Sequence, residues 1–260
     1  MDAARHKELE RIALEVRKDV VRMMGVARTL GISKALSIVD ILVYMYWEHM
    51  KVYPGERNRP DRDRLVLGRG SAAPALYACL SRLGFFDRQE LWSFSRLGAM
   101  LQGYPDIRTP GVDAPGGGLG GGLGIALGLG MGLRMEGVGA RVFCVMDEYE
   151  MSVGAAWESA STAASDRLGR VVLIVDTNGT DTATAIRLEA CGWSVTDADG
   201  SDMSSIESSF GALDYTSSTP KAVMMKTSPG RDSSEPLSRF DMDNALSKLE
   251  NGTVLADIES

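Results

Sequence analysis

Apolar residues in the first thirty positions recur at helical spacing. Ile12, Val16, Val20 and Met24 fall four apart, which lines one face of a helix and predicts that element from about Lys7 to Thr29. Ser37-Ile38-Val39-Asp40 has the form of a capping box and predicts a second helix reaching Trp47. Pro54, Gly55, Asn58 and Pro60 mark a loop. Leu65-Val66-Leu67 reads as a short buried strand ending in Gly68-Arg69-Gly70. Ala73 to Leu83 reads as a helix capped by Gly84, and Asp87 with Glu90 as the start of the helix that carries Trp92.

From residue 142 the pattern alternates. Strands are predicted at Val142–Met146, Val171–Val175, Trp193–Thr196 and Ala222–Met225, and helices at Ser152–Ser165 and Met203–Phe210. Val171 to Val175 is apolar without interruption, as a strand covered on both faces must be. The expected fold is α/β, a doubly wound and mainly parallel sheet with helices on both faces. Residues 1–230 are expected to form this domain, and residues 231–260 a polar tail with a short helix near Asp243 to Leu249. No internal repeat is present.

Composition narrows the function. The 260 residues are 44% hydrophobic with a net charge of −7. A bulk negative field disfavours nucleic acid, whose phosphates need clustered Lys and Arg. Cys79, Cys144 and Cys191 lie far apart with no CxxC pair, so neither a disulfide framework nor a zinc site is expected and a cytoplasmic location is the default. Met1 to Glu10 is charged, without an apolar signal core. Pro115 to Leu133 carries no charge, yet ten of the eighteen residues from Gly116 to Leu133 are glycine. Glycine contributes little transfer energy, so a membrane span is not expected.

Two features carry candidate chemistry. Gly120, Gly124, Gly128 and Gly132 fall every four residues. On a helix they would form a smooth stripe for close packing, within the domain or across a dimer axis. Alternatively, Gly116-Gly117-Gly118 ahead of that helix could present backbone amides to a phosphate. Ligands of open α/β sheets sit beyond the carboxyl ends of strands. Asp147-Glu148-Tyr149-Glu150 and Asp176-Thr177-Asn178-Gly179 fall there. Their oxygens could hold a magnesium ion that binds a diphosphate, or could be solvated loop acids.

Longer motifs point to a family. Asn58 to Tyr77, NRPDRDRLVLGRGSAAPALY, resembles the transketolase segment NPDRDRFVLSKGHAAPALY. Leu101 to Gly124 resembles LQGHPDxxxTPGVExSTGSLGQGLS. GxxWExxxxA followed by VDxN, between Gly154 and Asn178, and GWSVTDADGSD, from Gly192 to Asp202, match the family in order. The resemblance spans about residues 10 to 230 and implies the domain that binds the diphosphate and Mg2+ of thiamine diphosphate. It also implies a separate C-terminal subunit bearing the pyrimidine-binding domain and its activating glutamate, and an assembly that is at least a homodimer. Carried over by position, it places the cofactor at Gly117, Gly118, Leu119, Glu148, Tyr149 and Asn178, and the metal at Glu148, Asn178 and Thr180.

The departures are concentrated at the site. The four family histidines align with Gly31, Ser71, Tyr104 and Ser201, none of which exchanges protons near neutral pH as imidazole does. The remaining histidines, His6 and His49, lie outside the motifs. The family's GDGELxEG aligns with DEYEMSVG, Asp147 to Gly154. A metal-binding aspartate thus becomes Glu148, and two glycines that would let backbone approach a diphosphate become Asp147 and Tyr149. No catalytic residue is assigned on this alignment, and thiamine diphosphate binding in the usual pose is expected to be impaired. Two readings stand: a non-catalytic subunit or paralogue, or the catalytic subunit of a two-chain transketolase that transfers a two-carbon ketol unit between sugars.

Overall fold

The uninterrupted apolar runs become strands buried on both sides. In a computed structural model, which describes residues 1–56, 58–177, 182–228 and 235–251, five strands form one sheet: β1 (Arg64–Leu67), β2 (Val142–Asp147), β3 (Val171–Thr177), β4 (Ser194–Asp199) and β5 (Lys221–Lys226). Every pairing is parallel, in the order β1-β2-β3-β5-β4. All five carboxyl ends therefore open on the same edge.

Alternation along the strands divides the core in two. Phe143 and Val145 of β2 join the cluster that holds Val20, Ile41 and Leu76. Cys144 and Met146 join the cluster with Leu123, Ala126 and Ala160 on the other face. The first face is covered by helices α1 (Ala3–Ala27), α3 (Val39–Tyr44), α4 (Ala73–Arg82) and α8 (Met203–Gly211), the second by α5 (Gly122–Met135) and α6 (Gly154–Ser165). Full burial of a Val or Leu side chain contributes roughly 1.5–3 kcal/mol, so the fully buried Val172 to Val175 anchor the sheet's centre. The other helices are α2 (Ile32–Leu36), α7 (Thr182–Ala190) and α9 (Arg239–Glu250).

Some elements differ from expectation. Ser37 does not cap a helix. It closes α2 with helical backbone (φ −59°, ψ −33°), whereas a capping residue needs extended backbone to turn its oxygen toward the next amides. α3 begins after Ile38 without a side-chain cap and gives way to a π-helical turn over Met45–His49. Asp87 does cap, accepting from Gln89 N at 2.8 Å, but the element it starts is a 3-10 helix over Arg88–Ser93. α7 was unforeseen. Gly120 lies ahead of α5 with φ +72°, so the stripe on that helix is Gly124, Gly128 and Gly132. α9 packs on α1, with Met242 against Gly25 and Leu249 buried.

Candidate functional site

The strand ends bring together residues far apart in sequence. Asp147 and Asp176 are register partners at the ends of β2 and β3. Asp176 is buried, and its carboxylate is fully engaged: Oδ2 accepts from Ser37 Oγ at 2.8 Å, Oδ1 from Thr227 Oγ1 at 2.5 Å, and Arg69 forms an ion pair with it. Arg69 follows β1 directly and is itself buried. Its Nε lies 3.2 Å from Oδ2 of Asp147, and its Nη1 donates to Ser37 Oγ at 3.2 Å. One guanidinium thus bridges two carboxylates, which is what permits charges at this depth. Asp147 Oδ1 accepts from Glu150 N at 2.8 Å, so this acid also folds its own loop.

Beside the acids lies the glycine segment. A Cβ on Gly116 would sit 2.4 Å from the carbonyl oxygen of Leu67, and one on Gly122 would sit 2.5 Å from Cα of Gly68. Gly117 has φ +78°, a conformation glycine adopts without steric cost. The segment therefore lies directly on the end of β1. Around Gly118 there is open space, and Leu119 is exposed. Gly120 N donates to Glu150 Oε2 at 2.5 Å. Burial raises the pKa of Glu150, while the Gly120 amide opposes that shift and Asp147 adds to it. Glu148 is half-buried and Tyr149, 69% exposed, projects from the loop after β2. Asn178 and Thr180 lie outside the described residues.

The positions aligned with family histidines are only partly gathered. Ser71 and Tyr104 flank Gly70, and the Tyr104 ring lies so close that a Cβ on Gly70 would be 2.2 Å from its Cδ1. The phenol of Tyr77 fixes this loop by donating to the Tyr104 carbonyl at 2.9 Å. Gly31, with φ +84°, opens α2, which packs on the turn containing Ser71. Ser201 lies past β4, its amide donating to Asp199 at 2.9 Å. Neither histidine is near. His6 pairs with Glu207 at 2.8 Å. His49 lies near the start of β2, in contact with Arg141 and among Tyr44, Phe143, Phe210 and Tyr215, where burial, with Arg141 adding to it, lowers its pKa to about 4.

These residues test the implied cofactor. The glycine segment suits a diphosphate, since side chains would obstruct Gly116 and strain Gly117. The acids suit Mg2+ less well, because Arg69 already opposes Asp147 and Asp176. Among the described residues no group of three or more His, Cys, Asp or Glu could hold a metal. Sequence reading missed Arg69. The signal was available, as an arginine between two glycines immediately after an apolar strand.

The family described as transketolase, thiamine diphosphate binding domain, matches residues 29–245. The chain is 30% identical to one subunit of the apulose-4-phosphate transketolase of Phocaeicola vulgatus, over 83% of this chain and 80% of that one. It is 30% identical to the 6-deoxy-6-sulfo-D-fructose transketolase subunit SqwG of a Clostridium species, over 87% of each. Transketolase from Campylobacter jejuni shares the fold with a TM-score of 0.86 at 24% identity, over 97% of this chain and 43% of that one. The chain thus spans most of the two subunits but less than half of the longer transketolase, and it belongs to the transketolase family as its thiamine diphosphate-binding domain.

Proposed function

We propose that this chain is the diphosphate-binding subunit of a two-chain transketolase-like assembly in which thiamine diphosphate chemistry is impaired or lost, so that it acts as a non-catalytic partner. The observation that carries this reading is the Arg69 guanidinium between Asp147 and Asp176. A cation the chain supplies itself reduces the pull of those acids on a magnesium ion. Tyr149 and Asp147 add bulk and negative charge where a diphosphate would approach, and no imidazole stands at the strand ends. A cytoplasmic location and a homodimer through the glycine face of α5 belong to the same reading, with neither nucleic acid nor membrane as a partner. Among the described residues no helix is long and apolar enough to cross a membrane.

A second reading, the catalytic subunit of a ketol-transferring pair, draws support from the preserved glycine segment and from the two subunits it resembles. On that reading Gly116–Gly118 would hold the diphosphate, with Glu148, Asn178 and Thr180 as metal ligands; when bound, the cofactor supplies a stabilised carbanion. Calorimetric titration with thiamine diphosphate and Mg2+, with and without a C-terminal transketolase subunit, separates the two. The expected result is no heat from the chain alone, and weak binding in the triple variant Asp147→Gly, Glu148→Asp, Tyr149→Gly. Micromolar, magnesium-dependent binding by the unaltered chain overturns the first reading in favour of the second.

A further inference from the structure

The sheet's other edge, where strands begin, holds a cavity of about 590 Å³. It lies among the loops that lead into β2, β3 and β5. Arg134, Arg167 and Arg170 line it, and no Asp or Glu does. Three arginines facing one space are unexpected in a chain whose net charge is −7.

Their placement is specific. Arg134, in the last turn of α5, donates Nη1 to the carbonyl of Asp166 at 2.6 Å. Arg170, just before β3, donates Nη1 to the carbonyl of Gly139 at 2.5 Å. The two side chains thus tie the end of α5 and the segment between α5 and β2 to the one between α6 and β3. Their acceptors are neutral carbonyls, and each guanidinium has further N–H donors. Among the described residues none of the three forms an ion pair.

Arg167 occupies the position after the end of α6 with φ +54°. Glycine usually ends a helix in this way. A side chain is sterically disfavoured there, yet this chain has an arginine. Lys221 adds a fourth cation behind the wall. Buried, its Nζ donates to the carbonyls of Gly169 (2.7 Å) and Ser217 (3.0 Å), both part of the lining. Asp214, which acts on Lys221, accepts from the amide and hydroxyl of Thr216 at 2.8 and 2.6 Å. Leu133, Val138, Leu168 and Tyr215 provide an apolar wall.

We propose that this cavity is a second ligand site, for a small organic anion bearing one or two phosphoryl groups. Guanidinium groups bind phosphate oxygens through paired, charge-assisted hydrogen bonds, and the apolar wall would take the organic body. The volume lies within the range of small-molecule pockets, roughly 300–1,000 Å³. The proposal is independent of whether thiamine diphosphate binds, because the two places are on opposite edges of the sheet.

The test is calorimetry of the full chain with inorganic pyrophosphate and with ribose 5-phosphate. Submillimolar binding of at least one probe is expected, weakened about tenfold by Arg167→Gln and by Arg170→Gln. Two controls separate this place from others. Arg108→Gln, at an exposed pair with Asp106 elsewhere on the surface, should leave binding unchanged. Gly118→Asp, which puts a negative charge in open space beside the glycine segment, should also leave it unchanged. Absence of binding overturns the proposal. So does binding that Gly118→Asp abolishes and the two arginine variants, shown folded by circular dichroism, leave intact.

Discussion

Arg69 holds its Nε 3.2 Å from Oδ2 of Asp147, so the acid beside the glycine segment faces a cation from the neighbouring strand's end. The same guanidinium pairs with Asp176, a residue 107 positions later in the chain. Two strands, one loop and α2, through Ser37, are thereby joined at one point.

Replacing Arg69 with Met should leave two carboxylates at the strand ends without their cation. Removing one partner of a buried pair costs about 3–5 kcal/mol, and urea unfolding should show a loss of that order. Arg69→Lys, which keeps charge but not the two-pronged geometry, should lose less. Electron paramagnetic resonance should then detect Mn2+ bound to Arg69→Met but not to the parent, since the acids are released for a metal. An unchanged unfolding midpoint would remove the bridge from the account of this site.

Two glycines of similar appearance in sequence should respond oppositely. Gly122→Ala forces a methyl to 2.5 Å from Cα of Gly68, an overpacking against backbone that should cost about 1–3 kcal/mol. Gly128→Ala meets nothing within 4 Å and lies inside α5, where alanine should add about 0.5–1 kcal/mol. Thermal melts of the two variants provide the comparison.

Gly128→Leu tests assembly. With open space at that position in a single chain, the larger side chain should not lower intrinsic stability. If copies of α5 meet through this face, sedimentation should show the parent as a dimer and the variant as a monomer. A parent that sediments as a monomer at high concentration removes the proposed dimer.

His49 should make stability depend on pH in the mildly acid range. Its folded pKa, lowered to about 4 chiefly by burial, lies below the unfolded value of about 6.5. Between those limits the unfolded chain binds a proton that the folded chain refuses. Its contribution is complete above about pH 6.5 and is lost as the pH falls toward 4, by on the order of 3 kcal/mol. His49→Gln, keeping a hydrogen-bond partner for Tyr215 and Arg141, should flatten the slope of unfolding free energy over this interval.

The sheet was legible because its strands are continuous apolar runs, and a run such as Val171 to Val175 has few other uses in a chain of this size. α7 was not, because Thr182–Ala190, TATAIRLEA, has only Thr184 and Leu188 buried and presents a weak stripe. Ser37 was misread because Ser-x-x-Asp satisfies the capping pattern, while the buried carboxylate it serves lies 139 residues away. The family motifs pointed to the strand ends, but they describe positions and not the pairing among them. The bridge through Arg69 and the ring of Tyr104 over Gly70 depend on chain crossings that no local pattern encodes.

β4 is the outer strand on its side of the sheet, and its Ser194, Asp197 and Asp199 are exposed. An outer strand offers a row of amides and carbonyls to any other strand that can lie alongside it. A second copy of β4 would bring its own Asp197 and Asp199 against the first pair, and like charges at strand spacing repel. The acids on this strand therefore guard the folded protein against edge-to-edge aggregation.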